Sequence, residues 1–141
     1  MKQLFAYSPI HRYTDIWLLV LRVLAGSFML FGHGIPKWNR LVSGEEIKFM
    51  DLFGLGPTAS LTLAIFAEVV CSALVIVGLL TRWATLPLIF TMLVAAFLAN
   101  AGEPFQKQEL ALVYLLIFST IFFVGAGRYS LDRIISERSH S

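Results

Sequence analysis

The chain has 141 residues, 57% hydrophobic and only 14% charged, with a mean hydropathy of +0.76. A soluble domain carries roughly 25% charged and about 45–50% apolar residues, so both departures point to lipid as the solvent. They exclude a disordered tail, a nucleic-acid binder and a disulfide-stapled secreted domain. The formal charge of +2 is too small to imply a polyanionic partner. The single cysteine, Cys71, excludes an intrachain disulfide and a CxxC redox pair.

Four apolar runs follow one another: residues 16–32, broken by Arg22; 59–80, broken by Glu68; and the uncharged runs 83–99 and 110–127. Each is near the ~20 residues that cross a ~30 Å hydrocarbon core at ~1.5 Å per residue. Strands of a spanning barrel need only ~10 residues in alternation, so the runs read as helices and the fold as an all-α, four-helix transmembrane bundle, one membrane domain over residues 1–141. Lys2 is followed by a mixed stretch without a small-residue cleavage site, so the first run reads as a retained helix rather than a cleaved signal. Pro87 falls in the first turns of the third helix, where a missing N–H costs little.

The long first loop, residues 33–58, contains Ser43-Gly44-Glu45-Glu46, a capping-box pattern followed by Ile47, Phe49, Met50, Leu52 and Phe53. It predicts a short amphipathic helix at the interface, stopped by Gly54 and Gly56-Pro57. Thr81-Arg82 predicts a very short turn between antiparallel second and third helices. Ser130 suits the cap of a last short helix with Leu131, Ile134 and Ile135 on its membrane side. Lys2, Arg12, Arg82, Arg128, Arg133 and Arg138 fall on one side of the layout. Lys37, Arg40, Lys48 and Lys107 fall on the other. This bias predicts cytoplasmic termini in a bacterial inner membrane. Tyr13, Trp17, Trp83 and Tyr129 would anchor one interface and Trp38 the other.

Arg22 and Glu68 lie inside spans, where a central charge costs about 2.5–3.5 kcal/mol on insertion scales and turns toward the bundle interior. Their axial offset is roughly 7 Å at ~1.5 Å per residue. Side chains lean toward the N-terminus of their own helix, so in antiparallel helices these two lean apart. A direct pair, a water bridge and a purely packing role all remain open. Gly32-His33-Gly34-Ile35-Pro36-Lys37 ends the first helix and Glu109 opens the fourth. His33, Lys37, Glu68 and Glu109 can thus converge in one polar pocket, where a histidine beside carboxylates suits proton exchange with a quinone or binding of a small polar ligand. Taken singly, His33 and Lys37 read as side chains snorkelling to headgroups and Glu109 as a helix N-terminal charge. One intramembrane histidine cannot supply two haem ligands, and His11 and His140 fall in tails, so neither haem nor a metal is expected. Cys71 reads as a small core residue.

Leu21-Arg22 and Phe31-Gly32-His33-Gly34 with Lys37, then Ala67-Glu68 with Val77-Gly78-Leu79-Leu80-Thr81-Arg82, resemble the DoxX family of small four-helix membrane proteins. So do Lys107-Gln108-Glu109-Leu110-Ala111-Leu112 and Gly125-Ala126-Gly127-Arg128-Tyr129-Ser130-Leu131-Asp132, although Gly125-Ala126-Gly127 departs from the family's frequent Gly-Pro-Gly. The likeness covers about residues 15–135. It implies a link to quinol-dependent oxidoreductases and redox systems, and it marks Arg22, His33, Lys37, Glu68 and Glu109 as the polar positions. The expectation is a redox-associated subunit that binds a quinone or similar molecule, with electrons from a redox protein partner and the lipid bilayer as its setting. A proton-coupled transporter or channel working as a homo-oligomer, and a membrane scaffold or chaperone, are the rival expectations.

Overall fold

The computed structural model describes residues 10–139, with side chains from Arg12 onward. Lys2, the His11 side chain and His140 lie outside the described residues. Four helices are long and apolar enough to cross a membrane: α1 (Arg12–Val42), α2 (Pro57–Val77), α3 (Thr81–Ala99) and α4 (Phe105–Val124). A short α5 (Leu131–Ser139) follows. The described residues contain no strand. The chain is a multi-pass membrane protein, and its apolar surface is a lipid-facing one. Phe31, Phe66, Leu116 and Phe123 are exposed, a pattern that water would oppose and hydrocarbon favours.

Sequence expectation and structure part company at the helix ends. The first helix does not stop at Gly32. It passes through a π-helical turn, Leu30–Gly34, and continues as Ile35–Val42 with Pro36 at its start. The wide turn interrupts the regular hydrogen-bond ladder, so a proline immediately after it removes little. The helix expected after Ser43 does not form, and residues 45–51 carry no regular structure. Ser43 Oγ donates to the Arg40 carbonyl at 2.9 Å and accepts from Glu45 N–H at 3.3 Å. The hydroxyl therefore closes α1 instead of opening a new helix, and the amphipathic segment of this loop is Ile35–Val42.

Helix α3 begins at Thr81, so Pro87 lies inside it rather than in its opening turns. Helix α4 begins at Phe105, directly after Pro104. A proline fixes φ for helix entry, and the fourth helix starts well before Leu110.

Two turns set the packing. The α2–α3 connection is a Schellman motif. Gly78, at φ +74°, donates N–H to Val75 O at 3.2 Å, and Leu79 N–H reaches Leu74 O at 2.9 Å. The exit of α4 folds back onto it. Asp132 accepts from Leu80 N–H at 2.7 Å and Thr81 N–H at 2.9 Å, and its own N–H donates to Gly78 O at 2.8 Å. Ser130 caps α5 as expected, accepting from Arg133 N–H at 3.3 Å. We call this the turn end of the bundle. The opposite end, which carries residues 43–56, is the loop end. Between them Met29, Val75, Leu88, Ala96, Phe118 and Ile121 form a fully buried core.

Candidate functional site

Three of the four spans contain a π-turn: Leu30–Gly34 in α1, Phe66–Cys71 in α2 and Ala95–Ala99 in α3. The first two pack against each other. Single π-turns inside α-helices gather at functional sites because they re-aim side chains and release backbone groups. Gly34 makes the approach possible, since a Cβ there would stand 2.7 Å from the carbonyl oxygen of Glu68.

That approach brings two charges together. Lys37 Nζ lies 2.7 Å from Glu68 Oε2, with the lysine side chain 22% exposed and the glutamate 3%. His33 lies within electrostatic reach of both. Its ring meets Tyr114 of α4 edge-on, with centroids 5.7 Å apart. Glu68 is thus the hub, with Lys37 and His33 both supplied by the π-turn region of α1.

A cavity of about 430 Å³ runs between α2 and α3 from this ion pair. Lys37 and Glu68 are its charged lining residues, beside Ser60 and Thr91, while Phe66, Phe90 and Val94 form much of its apolar wall. Phe49, Met50 and Leu52 of the first loop cover it. Ser60 holds that cover in place. Its hydroxyl accepts from Leu52 N–H at 2.8 Å and donates to Gly56 O at 2.7 Å. Asp51 Oδ1 accepts from Gly56 N–H at 2.8 Å and closes the same loop.

The expected polar group therefore assembles only in part. His33, Lys37 and Glu68 come together, while Glu109 is exposed and makes no ion pair among the described residues. The early start of α4 places it in the second turn, away from the loop it was expected to overhang. Arg22 does not meet Glu68. Fully buried at the turn end, it donates through Nη2 to the Tyr129 carbonyl and lies within electrostatic reach of Asp132. Its side chain leans toward the N-terminus of α1, as helical geometry requires.

Residues 17–101 match the DoxX family model. The chain belongs to the DoxX family. Two uncharacterized proteins of Haemophilus influenzae are each 32% identical over 132 residues, one alignment covering 88% of this chain and 86% of the relative, the other 89% and 95%. An uncharacterized membrane protein of Mycobacterium tuberculosis is 35% identical over 122 residues, covering 75% of this chain and 67% of its own length. No solved structure matches.

The DoxX match contains Arg22, His33, Lys37, Glu68 and the cavity lining, and it ends before Glu109. Sequence reasoning assigned no role to Gly34, Ser60, Tyr114 or Asp132. Gly34 and Asp132 stood inside the quoted DoxX motifs, and that was their only signal. Ser60 and Tyr114 carried none, because one hydroxyl in an apolar run does not reveal which loop it ties.

Proposed function

We propose that this DoxX protein is a redox-associated subunit that binds a quinone-type molecule in the cavity between α2 and α3. The observation that carries the reading is a mostly apolar cavity of about 430 Å³ whose lining includes the Lys37–Glu68 ion pair. Pockets of this size, mostly apolar with a few convergent polar groups, take small organic ligands. A quinone is an apolar ring bearing carbonyl acceptors, and when bound it supplies two-electron, two-proton chemistry.

The residues fit that group. The Lys37 ammonium has three donors. One is directed at Glu68, which leaves others for a carbonyl oxygen in the cavity. Glu68, almost wholly shielded from solvent, is placed to take or return a proton at its carboxylate. His33, within electrostatic reach of Glu68, is the next proton carrier. Electrons come from a redox protein partner. Arg22 belongs to no step. Its bond to the Tyr129 carbonyl supports a structural role for that residue, as the scaffold reading holds.

We also place the protein in a bacterial inner membrane as one domain with cytoplasmic termini. Support comes from the bacterial relatives and from Arg12, Arg82, Arg128 and Arg133 at the turn end. Calorimetric titration of the detergent-purified chain with a short-chain quinone tests the site. Binding is expected, with affinity reduced at least about tenfold by Glu68→Gln or Lys37→Met, and unchanged by Glu109→Gln. Equal affinity in all three variants removes the cavity from the reading.

A further inference from the structure

A second cleft, of about 510 Å³, opens at the turn end between the start of α3 and the exit of α4. Leu80, Arg82 and Trp83 form one side, and Val124, Gly125 and Arg133 the other. The Arg82 guanidinium lies over Gly125, with Nη2 3.3 Å from the position of a Cβ there. A side chain on residue 125 would crowd it. Arg82 is exposed, and its guanidinium makes no hydrogen bond or ion pair among the described residues, while its carbonyl accepts from Thr85 Oγ1. Arg133 brings a second guanidinium, turned toward Glu137.

Thr81 also lines the cleft. The residue is 1% exposed, and its Oγ1 is buried with no hydrogen-bond partner. Buried hydroxyls without a partner are uncommon and call for one. The first turn of a helix presents N–H groups that no intrahelical acceptor reaches. Asp132 takes those of Leu80 and Thr81, so Arg82 and Trp83 contribute the remaining ones. Asp132 is the cleft's carboxylate, engaged by two N–H groups and backed by buried Arg22. The cleft thus gathers an unpaired guanidinium and a helix N-terminus, with the orphan Thr81 hydroxyl buried in its wall, and all three are donors.

The depth of the cleft identifies the source of the acceptor. Trp83 and Leu80, 73% and 55% exposed, flank Arg82 and face outward at the end of two spans. An exposed Trp beside Arg at a span end belongs to the headgroup layer. We propose that this cleft binds the phosphate of an anionic phospholipid. The phosphodiester sits between Arg82 and the Thr81 hydroxyl, with Arg133 adding charge and the acyl chains running past Trp83 and Leu80. Guanidinium forks and helix N-termini are the usual receivers of such a group.

Thermal unfolding of the full chain in detergent, titrated with short-chain phosphatidylglycerol, phosphatidylcholine or inorganic phosphate, tests the site. Phosphatidylglycerol is expected to raise the midpoint in a saturable way, and the other two much less. Arg82→Gln should weaken the half-saturating lipid concentration at least about tenfold. Arg82→Lys should recover part of it, Thr81→Val should weaken it, and Lys48→Gln at the loop end should not change it. If Arg82→Gln does not fold, Thr81→Val and Arg82→Lys carry the comparison. Equal response to both lipids, or insensitivity to residues 81 and 82, overturns the proposal. An equal response to inorganic phosphate assigns the cleft to a free anion and overturns the lipid assignment.

Discussion

Gly34 of α1 stands so close to Glu68 of α2 that the Glu68 carbonyl oxygen lies 2.7 Å from where a Cβ on residue 34 would sit. The obstacle is backbone, which cannot swing aside as a side chain does. Gly34→Ala is therefore expected to push α1 and α2 apart, lower the unfolding midpoint and weaken quinone binding together. Gly32, two residues earlier in the same π-turn, meets nothing within 4 Å. Gly32→Ala should leave binding intact and be neutral or stabilising, by up to about 1 kcal/mol. Thermal melting in detergent with a parallel titration separates the two.

The Lys37–Glu68 pair joins a group in contact with solvent to one almost without it. Lys37→Met removes the neutralising partner and strands a carboxylate, a change that costs about 3–5 kcal/mol for buried pairs; partial exposure of the lysine puts this case at the lower end of that range. Lys37→Met/Glu68→Gln should recover much of the loss, since neither charge remains. A double-mutant cycle on the unfolding midpoint measures the coupling, and additive losses would show that the ion pair carries none.

At the turn end, Asp132 bonds two N–H groups at the start of α3. Asp132→Ala should destabilise the chain by about 1–2 kcal/mol through the lost cap. Gly78→Ala should cost more. Its φ of +74° is strained for any L-residue, and its Cβ would stand 1.9 Å from Nη1 of buried Arg22. Neither change should alter quinone affinity in the fraction that folds, because both lie far along the bundle from Lys37. Melting curves paired with titrations read both effects.

Ser60→Ala deletes the acceptor that pins Leu52 N–H over the cavity. The stability loss should be about 1 kcal/mol. The ligand dissociation rate should rise, since Phe49, Met50 and Leu52 then cover the cavity less firmly. Stopped-flow release of a bound quinone checks this, and an unchanged rate would show that the loop does not retain the ligand.

The spans were legible because hydrocarbon demands long apolar runs, and runs of that length have only one compact solution. The π-turns were not, since one extra residue within an apolar helix leaves composition and hydropathy unchanged. They decide which way His33, Lys37 and Glu68 face, and so only part of the polar group could be foreseen. Glu109 was misplaced by the early start of α4 after Pro104. The partner of Arg22 is the Tyr129 carbonyl, and a backbone acceptor has no amino-acid identity to read. Ser43 met the pattern for a helix start and serves instead at a helix end, because Oγ can answer either kind of orphan group.

A π-turn takes in one surplus residue locally, so the helix on either side keeps its phase. Elsewhere in a span, gaining or losing a residue swings everything beyond it by about 100° around the axis and turns lipid-facing groups inward. Leu30–Gly34 is thus the stretch of the first span where the chain can shorten by one while Lys37 still meets its partner. Deletion of Gly32, which leaves Gly34 in place, should give a plain helix with the ion pair preserved, whereas the same deletion near Leu24 should scramble the bundle.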